Sequence, residues 1–255
     1  MDNNNILLQN KYKIIKKIGS GTYSNIYKAI HIYKNTYVAI KFDYDEISKK
    51  LIENEISNYL YLYKNKSNNI VNIKSFGVIN KYNYIIMDLL EYNLQEYFNN
   101  NELKTENINY CFNYVIDLVK QLHKNDILHR DIKPENFILD KNNKIYIIDL
   151  GLSCNKQNIK KSSSIIGSIF FSSFNVHRED YIYTKKDDFI SICYMFMYLV
   201  TKKIPWENIT IDDKKLKNTI VYNLKRHINF EKYYNYDKRL KHILSTYNDI
   251  MYDYE

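Results

Sequence analysis

The sequence predicts an α+β fold with a β-rich N-terminal lobe and a mainly helical C-terminal lobe. Up to about residue 90, runs rich in β-branched and aromatic residues alternate with turn residues, a pattern typical of strands. Beyond about residue 100, apolar residues recur at spacings of three and four, which is the period of a helix. With 255 residues, the chain is long enough to bury a sizeable core, as one domain or as two lobes that share a cleft.

The N-terminal lobe is predicted to contain five strands and one inserted helix. The strands are expected at residues 12–19, 25–33, 36–42, 70–78 and 82–90. The helix is expected at residues 45–63, because apolar side chains recur there at helical spacing, namely Ile47, Leu51, Ile52, Ile56, Tyr59, Leu60 and Tyr63.

The C-terminal lobe is predicted to consist of amphipathic helices around one buried helix. Residues 105–124 place their apolar side chains on one face, as an amphipathic helix does. Residues 185–200 begin with charged residues and then become apolar on all sides, as expected of a helix in the centre of a domain. Two further amphipathic stretches lie near 212–226 and 238–252.

The composition excludes several classes of protein. A hydrophobic fraction of 45% excludes intrinsic disorder, and three widely separated cysteines exclude a disulfide scaffold and favour a reducing compartment. The first ten residues lack the regions of a signal peptide, and the longest apolar run, 189–200, is too short to span a bilayer. The net charge is +8, but no run of five basic residues occurs, which indicates a solvated basic surface. We therefore expect a cytoplasmic or other intracellular protein without a membrane partner and without specific nucleic-acid binding.

A glycine-containing segment lies between the first two predicted strands. Only five glycines occur in the chain, and two of them belong to this segment, which consists of Gly19, Ser20, Gly21, Thr22, Tyr23 and Ser24. Glycines at such a position let backbone N–H groups approach a polyphosphate, although a plain hairpin turn uses the same residues. No helix follows the segment, so the dinucleotide-binding interpretation of a glycine-rich loop is excluded.

Lys41 ends the third predicted strand, after the apolar residues 38–40. A lysine at this position either extends its ammonium group to solvent or binds the phosphates of a nucleotide. In the second case it needs an orienting glutamate from the following helix, and Glu53 and Glu55 are the candidates. We predict Glu53, because Ile52, Ile56 and Leu60 flank it in a way that would bury its side of the helix.

The most informative segment is residues 129–137, which read HRDIKPENF. Further along the chain, Asp149-Leu150-Gly151 follows the strand-like run KIYII. In this order and spacing, the two segments resemble the catalytic loop and the metal-binding motif of the eukaryotic-type protein kinases.

The resemblance implies a role for each of these residues. Asp131 would accept the proton of the substrate hydroxyl, and Lys133 would neutralise the transferring γ-phosphoryl group. Asn136 and Asp149 would hold Mg²⁺, which Mn²⁺ can replace. Lys41, oriented by its glutamate, would hold the α- and β-phosphates of ATP.

Within the protein kinases, the chain resembles the casein kinase 1 family in three features. The catalytic loop is close to that family's HRD-x-KP-(D/E)-NF. The activation segment lacks an APE motif, and SSFNVH at 172–177 is instead similar to the family's S-I-N-x-H. Residues 185–191, which read KKDDFIS, and the later MYL and PW resemble RRDDLES…MY…LPW. The resemblance covers about residues 12–210.

This family resemblance also implies the nucleotide pocket and the domain boundaries. The expected adenine pocket has Met87 as gatekeeper and a hinge that includes Asp88 and Leu90, with the ring enclosed by Ile18, Ile26, Ala39 and Ile138. Asp188 would brace the backbone of the catalytic loop, and Ser168 would contact Asp131 and Lys133. The chain is expected to be one kinase domain over 1–255, with an N-lobe over about 1–88, a hinge over about 88–91 and a C-lobe over about 92–255.

Two functions stay open on the sequence alone, an active Ser/Thr protein kinase and a pseudokinase scaffold that binds nucleotide or protein without catalysis. The presence of Lys41, Asp131, Asn136 and Asp149 together favours activity. Two residues depart from the family pattern, since Ser24 replaces a glycine and Leu150 replaces a phenylalanine. The predicted partners are acidic or phosphorylated protein substrates, because residues 150–178 hold basic residues and no acidic one, namely Lys156, Lys160, Lys161 and Arg178.

Overall fold

The computed structural model describes residues 7–21, 24–43, 45–235 and 237–252. In this part of the chain the strands are β1 (Leu7–Leu8), β2 (Tyr12–Ser20), β3 (Asn25–His31), β4 (Thr36–Phe42), β5 (Ile73–Ile79), β6 (Tyr82–Asp88), β7 (Tyr92–Asn93), β8 (Ile127–Leu128), β9 (Phe137–Leu139), β10 (Ile145–Ile147) and β11 (Cys154–Asn155). The α-helices are α1 (Glu46–Lys64), α2 (Leu94–Asn100), α3 (Thr105–Lys124), α4 (Lys185–Thr201), α5 (Lys214–His227), α6 (Phe230–Tyr233) and α7 (Lys241–Tyr252). Short 3₁₀ segments lie at Pro134–Asn136, Lys156–Asn158, Phe174–His177 and Lys238–Leu240.

The chain divides into two compact units. The first unit runs up to Glu91 and includes Asp140–Gly151, and the second unit comprises Tyr92–Leu139 and Leu152 onward. Segment 140–151 follows the catalytic loop in sequence but belongs to the first unit, because β10 bonds back to it. Ile147 lies beside Ile70, and the backbone N–H of Val71 donates to the Ile147 carbonyl at 3.4 Å.

The first unit is built on an antiparallel sheet with the strand order β1-β2-β3-β4-β6-β5. The five predicted strands are present, and β1 adds a sixth that is too short to show an alternating pattern. The α+β class, with a strand-rich first part and a helical second part, is therefore confirmed. One face of the sheet forms a buried apolar core, which contains Leu8, Tyr12, Ile14, Ala29, Val38, Ile40, Tyr84 and Ile86.

Helix α1 begins one residue later than predicted, because Asp45 caps it. The Asp45 carboxylate accepts the backbone N–H of Ser48 at 2.7 Å, and the Ser48 hydroxyl accepts the Asp45 N–H in return. This reciprocal pair satisfies donors that the first turn of a helix leaves without intrahelical partners. The helix buries Ser48, Ile52, Glu55, Tyr59 and Leu62, a set spaced by three and four residues.

The second unit contains the four predicted helices, which the structure places at α3, α4, α5 and α7. Helix α4 is buried on nearly every side, as its apolar composition predicts. Helix α2 was missed, because its seven residues are too few to establish a helical period; a reciprocal cap between Asn93 and Glu96 begins it. Among the described residues, no helix combines the length and apolar character needed to cross a membrane.

Candidate active site

Lys41 is buried in the first unit between two carboxylates. Its Nζ lies 2.7 Å from Glu55 Oε2 and 3.0 Å from Asp149 Oδ1, and the residue is 8% exposed. Burial by itself lowers the pKa of Lys41, but the negative charges of Asp149 and Glu55 outweigh it and hold the pKa above its usual value. The lysine is therefore a fixed cation, and the interpretation that it extends into solvent is wrong.

The partner of Lys41 is Glu55, and the prediction of Glu53 was wrong. Glu55 is 1% exposed, whereas Glu53 lies on the exposed side of α1. The prediction took Ile52, Ile56 and Leu60 as the buried face, yet Leu60 is 48% exposed. The face that packs inward includes Glu55, which a count of apolar residues does not detect, and Tyr59, which that count did include.

Burial raises the pKa of Glu55 to about 7, against the opposing attraction of Lys41. A buried carboxyl group with one ammonium partner is costly to keep and is a feature of functional sites rather than of stable cores. Glu55 is thus the candidate for the residue that orients Lys41.

Asp149 has a left-handed backbone conformation with φ of +60°. A non-glycine residue in this region is strained and persists only where its surroundings determine the conformation. Its Oδ1 receives the Lys41 ammonium and, at 3.3 Å, the backbone N–H of Gly151. These two contacts therefore hold the Asp149 carboxylate against the Lys41 ammonium group.

Three other predicted nucleotide-binding residues of the first unit, Ile26, Ala39 and Met87, share the sheet face that carries Lys41. In the antiparallel register, Ile26 pairs with Lys41 and Ala39 pairs with Met87, so their side chains lie on one side of the sheet. Ala39 and Met87 are buried, Ile26 is half-buried, and Ile18 on β2 is 44% exposed.

The remaining predicted nucleotide-binding residues lie in the hinge segment, the glycine segment and the second unit. The half-buried Asp88 ends β6 and forms an ion pair with Lys74 at 2.7 Å, and Leu90 follows two residues later. In the glycine segment, Gly19 and Ser20 end β2, and the Gly21 N–H donates to the Ser24 carbonyl at 2.9 Å. Thr22 and Tyr23 lie outside the described residues. Ile138 belongs to the second unit, where it is half-buried on β9.

The catalytic-loop candidates meet around one carboxylate in the second unit. Asp131 accepts the Lys133 ammonium on Oδ2 at 2.6 Å and the backbone N–H of Ser168 on Oδ1 at 2.9 Å. The amide nitrogen of Asn136 donates to the Asp131 carbonyl at 2.8 Å. Asp131 is 6% exposed, so these contacts fix its orientation. The structure thus brings Asp131, Lys133 and Asn136 together as the motif predicted.

Asp188 braces the backbone of this loop, as the resemblance implied. Its carboxylate accepts the backbone N–H groups of His129 at 2.9 Å and Arg130 at 3.0 Å, together with His123 Nε2 at 2.8 Å. Burial alone would raise the pKa of Asp188, but the His123 hydrogen bond and the nearby charges keep the pKa below its usual value. An ionised aspartate inside the unit therefore fixes the path of residues 129–130.

Gly167 packs directly against the catalytic loop, and replacing it by alanine should destabilise the second unit. It has φ of +84°, and a Cβ there would collide with the Arg130 carbonyl oxygen. We expect Gly167→Ala to lower the free energy of unfolding by at least about 2 kcal/mol in urea denaturation. Gly21→Ala is the control, because in the described part of the chain its Cβ would meet only the Ser24 carbonyl oxygen, at 3.9 Å. Equal stability of the two variants would contradict this account of Gly167.

Lys225 on α5 holds the end of the activation segment, a role that the sequence did not predict. It is fully buried, and its Nζ donates to the Ile169 carbonyl at 2.7 Å and the Ser172 carbonyl at 2.6 Å. It also lies 3.1 Å from His177 Nε2 and 5.0 Å from the centre of the Trp206 ring. These contacts anchor residues 169–177, the part of the chain in which an APE motif is missing. A lone lysine in a basic helix carries no sequence signal that distinguishes it from its solvated neighbours.

Acid should weaken this anchor through His177. Burial, reinforced by the Lys225 charge, lowers the pKa of His177 to about 4, whereas a histidine in an unfolded chain titrates near 6.5. The unfolded state therefore binds the proton first, and stability present at neutral pH is lost as the pH falls from about 6.5 towards 4. His177→Gln should lose up to about 3 kcal/mol of this acid dependence, measured by urea unfolding at pH 7 and pH 4.5. If the variant loses as much unfolding free energy between pH 7 and pH 4.5 as the wild type does, His177 is not the source of the acid dependence.

The chain matches the model of a known protein family. The family described as Protein kinase domain matches residues 12–251, which include nearly the whole chain and parts of both units. The family implies a phosphotransferase that uses ATP and a divalent cation and acts on protein substrates. From the match and from the strand-rich and helical units that carry its motifs, the chain belongs to the protein kinase domain family.

Proposed function

We propose that the chain is an active Ser/Thr protein kinase, similar to the casein kinase 1 family, whose domain includes both units. The observation that supports this proposal most is that contacts with their neighbours fix the charged side chains of the two motifs. Lys41 is fixed between Glu55 and Asp149 in the first unit, and Asp131 is fixed by Lys133 and Ser168 in the second. Buried charged side chains with shifted pKa values, such as Lys41 and Glu55, are concentrated at functional sites.

Asp131 is the proposed acceptor of the substrate hydroxyl proton. Oδ1 is held by the Ser168 N–H and Oδ2 by the Lys133 ammonium, so the carboxylate cannot rotate away from the hydroxyl. Lys133 is 30% exposed at its side chain, which lets its ammonium also face the transferred phosphoryl group. Lys41 is the proposed cation for the α- and β-phosphates, in the direction set by Glu55.

Asn136 and Asp149 suit a divalent cation by the chemistry of their atoms. The amide nitrogen of Asn136 is used by Asp131, which leaves its oxygen as the possible ligand atom, and Asp149 supplies a carboxylate that is 34% exposed. Mg²⁺ prefers oxygen ligands and takes one or two carboxylates together with phosphates and water. When bound, the cation would neutralise charge on the phosphates of ATP.

The glycine segment supports the nucleotide-binding proposal because local packing does not demand glycine there. A Cβ at Gly19 would make ordinary contacts with Ile26 at 3.6 Å, and among the described residues a Cβ at Gly21 would meet one atom at 3.9 Å. Neither glycine has a positive φ. Glycine at these positions would let a phosphate group approach the backbone closely.

The proposed substrates are acidic or phosphorylated proteins. Of the four basic residues in 150–178, Lys156 forms an ion pair with Asp126 at 2.9 Å. Lys160, Lys161 and Arg178 are exposed. In the kinase family the activation segment contacts the peptide substrate, so three positive charges there favour an anionic residue near the target hydroxyl.

A peptide panel should reveal this preference. Serine peptides with upstream Asp or phosphoserine are expected to have a kcat/KM about tenfold above that of a Lys peptide at low salt, and the difference should shrink as salt rises. The variant Lys160→Ala/Lys161→Ala should lose most of the preference, whereas Lys156→Ala should keep it, because Lys156 is already paired. Equal rates for all peptides, or faster turnover of the Lys peptide, would remove the substrate proposal.

The amino-acid specificity is tested with labelled ATP, Mg²⁺ and casein, followed by phosphoamino-acid analysis of the product. We expect label on serine and threonine. Label on tyrosine would overturn the Ser/Thr assignment. Nucleotide binding without any transfer would instead favour the scaffold function.

A further inference from the structure

Three side chains of α1 hold the backbone of three consecutive residues, Asp149 to Gly151. The Tyr59 hydroxyl accepts the Asp149 N–H at 3.2 Å. The Asn58 side-chain amide donates to the Leu150 carbonyl at 2.9 Å, and that of Asn54 donates to the Gly151 carbonyl at 2.7 Å. Asn54, Asn58 and Tyr59 are called the backbone clamp below, and all of its contacts lie within the first unit.

The clamp acts where the chain is strained and tightly packed. Asp149 has its left-handed φ of +60°, and Leu150 is fully buried. A Cβ on Gly151 would lie 3.3 Å from the Leu51 carbonyl oxygen of α1, so this residue already approaches the helix closely. Main-chain bonds to side chains fix such a conformation more specifically than apolar packing does, because they require one register.

The same helix also supplies the partner of Lys41. Glu55 follows Asn54 by one residue, and Asn58 and Tyr59 lie on the next turn. A displacement of residues 149–151 from α1 would therefore break these three hydrogen bonds.

We propose that Asn54, Asn58 and Tyr59 are positioning residues that keep Asp149 beside Lys41 and oriented for its cation. This inference rests on the proposed function for the role of Asp149, but the clamp itself is a statement about the first unit alone. Hydrogen bonds from α1 would thus fix the position of Asp149. Leu150, which follows Asp149, takes the place of the family's phenylalanine.

The test uses variants that remove one bond and conserve shape. Asn54→Asp and Asn58→Asp are isosteric but cannot donate to a carbonyl oxygen, and Tyr59→Phe deletes one hydroxyl. The matched controls are Asn68→Asp, which adds the same charge at an exposed site of the first unit, and Tyr61→Phe, at a tyrosine of α1 that is 42% exposed.

The first readout is amide hydrogen exchange, which does not depend on activity. We expect each clamp variant to exchange the amides of residues 148–152 roughly tenfold faster, while β6 and the controls stay as in the wild type. Unchanged exchange at 148–152, or a uniform loss of protection across the unit, would overturn the clamp.

The second readout is the dependence of phosphotransfer on Mg²⁺. The clamp variants should need several times more Mg²⁺ for half-maximal rate, recover much of the rate at saturating Mg²⁺, and keep the KM for peptide. An equal loss of rate at every Mg²⁺ concentration would contradict a positioning role. If the wild type transfers no phosphate, the proposed function fails, and the exchange measurement still decides whether the clamp exists.

Discussion

Glu55→Gln should reduce phosphotransfer by about 100-fold, whereas Glu53→Gln should leave it close to that of the wild type. Glu55 is buried against Lys41 at 2.7 Å, and neutralising it removes the charge that fixes the direction of the ammonium. A misplacement of about 1 Å in a reacting group is enough for a loss of this size. Glu53 is exposed, and substitutions at such surface positions change stability by less than about 0.5 kcal/mol.

The comparison is made at saturating ATP with purified variants of measured thermal stability. Glu55→Gln should keep the fold, since Lys41 retains Asp149 as a partner at 3.0 Å. A larger loss for Glu53→Gln than for Glu55→Gln would return the role to Glu53 and would contradict the register of α1.

Lys41→Met and Asp149→Asn should each lower kcat/KM by about a thousandfold or more. Their proposed contacts are to the phosphates of ATP and to the divalent cation, which are groups whose charge the protein must stabilise in the transition state. Lys13→Met is the matched control, because Lys13 is an exposed lysine on β2 of the same sheet and is not one of the predicted site residues. Substitutions at exposed positions change little, so this control should remain fully active. Activity within tenfold of the wild type in Lys41→Met would remove Lys41 from the nucleotide site.

The sequence predicted the positions that depend on short local patterns. The run of β-branched and aromatic residues between turn residues predicted β4, the strand that carries Lys41, and the spacing within HRDIKPENF predicted the residues that meet at Asp131. In both cases the chemistry lies in neighbouring positions of one segment, so little of the tertiary structure has to be known.

The sequence failed where a polar residue is buried because of a partner far away in the chain. Glu55 and Lys225 are buried by contacts with Lys41 and with residues 169–177, and a count of apolar positions treats both of them as exposed. One signal was available for Glu55, because Tyr59, which was counted as an apolar position, follows it by four residues and so shares its face of α1. The grouping of segment 140–151 with the first unit needed the pairing of β10, which no local pattern shows.

The most direct test of the proposed function compares the wild type with Asp131→Asn in two assays on the same preparations. One assay measures transfer of the γ-phosphoryl group to casein, and the other measures equilibrium binding of the Mg²⁺–ATP complex. The account predicts that the variant binds nucleotide within about twofold of the wild type and transfers at least about 100-fold more slowly, because only the proton acceptor is lost. Equal transfer rates in the two proteins, or nucleotide binding without transfer in the wild type, would contradict it.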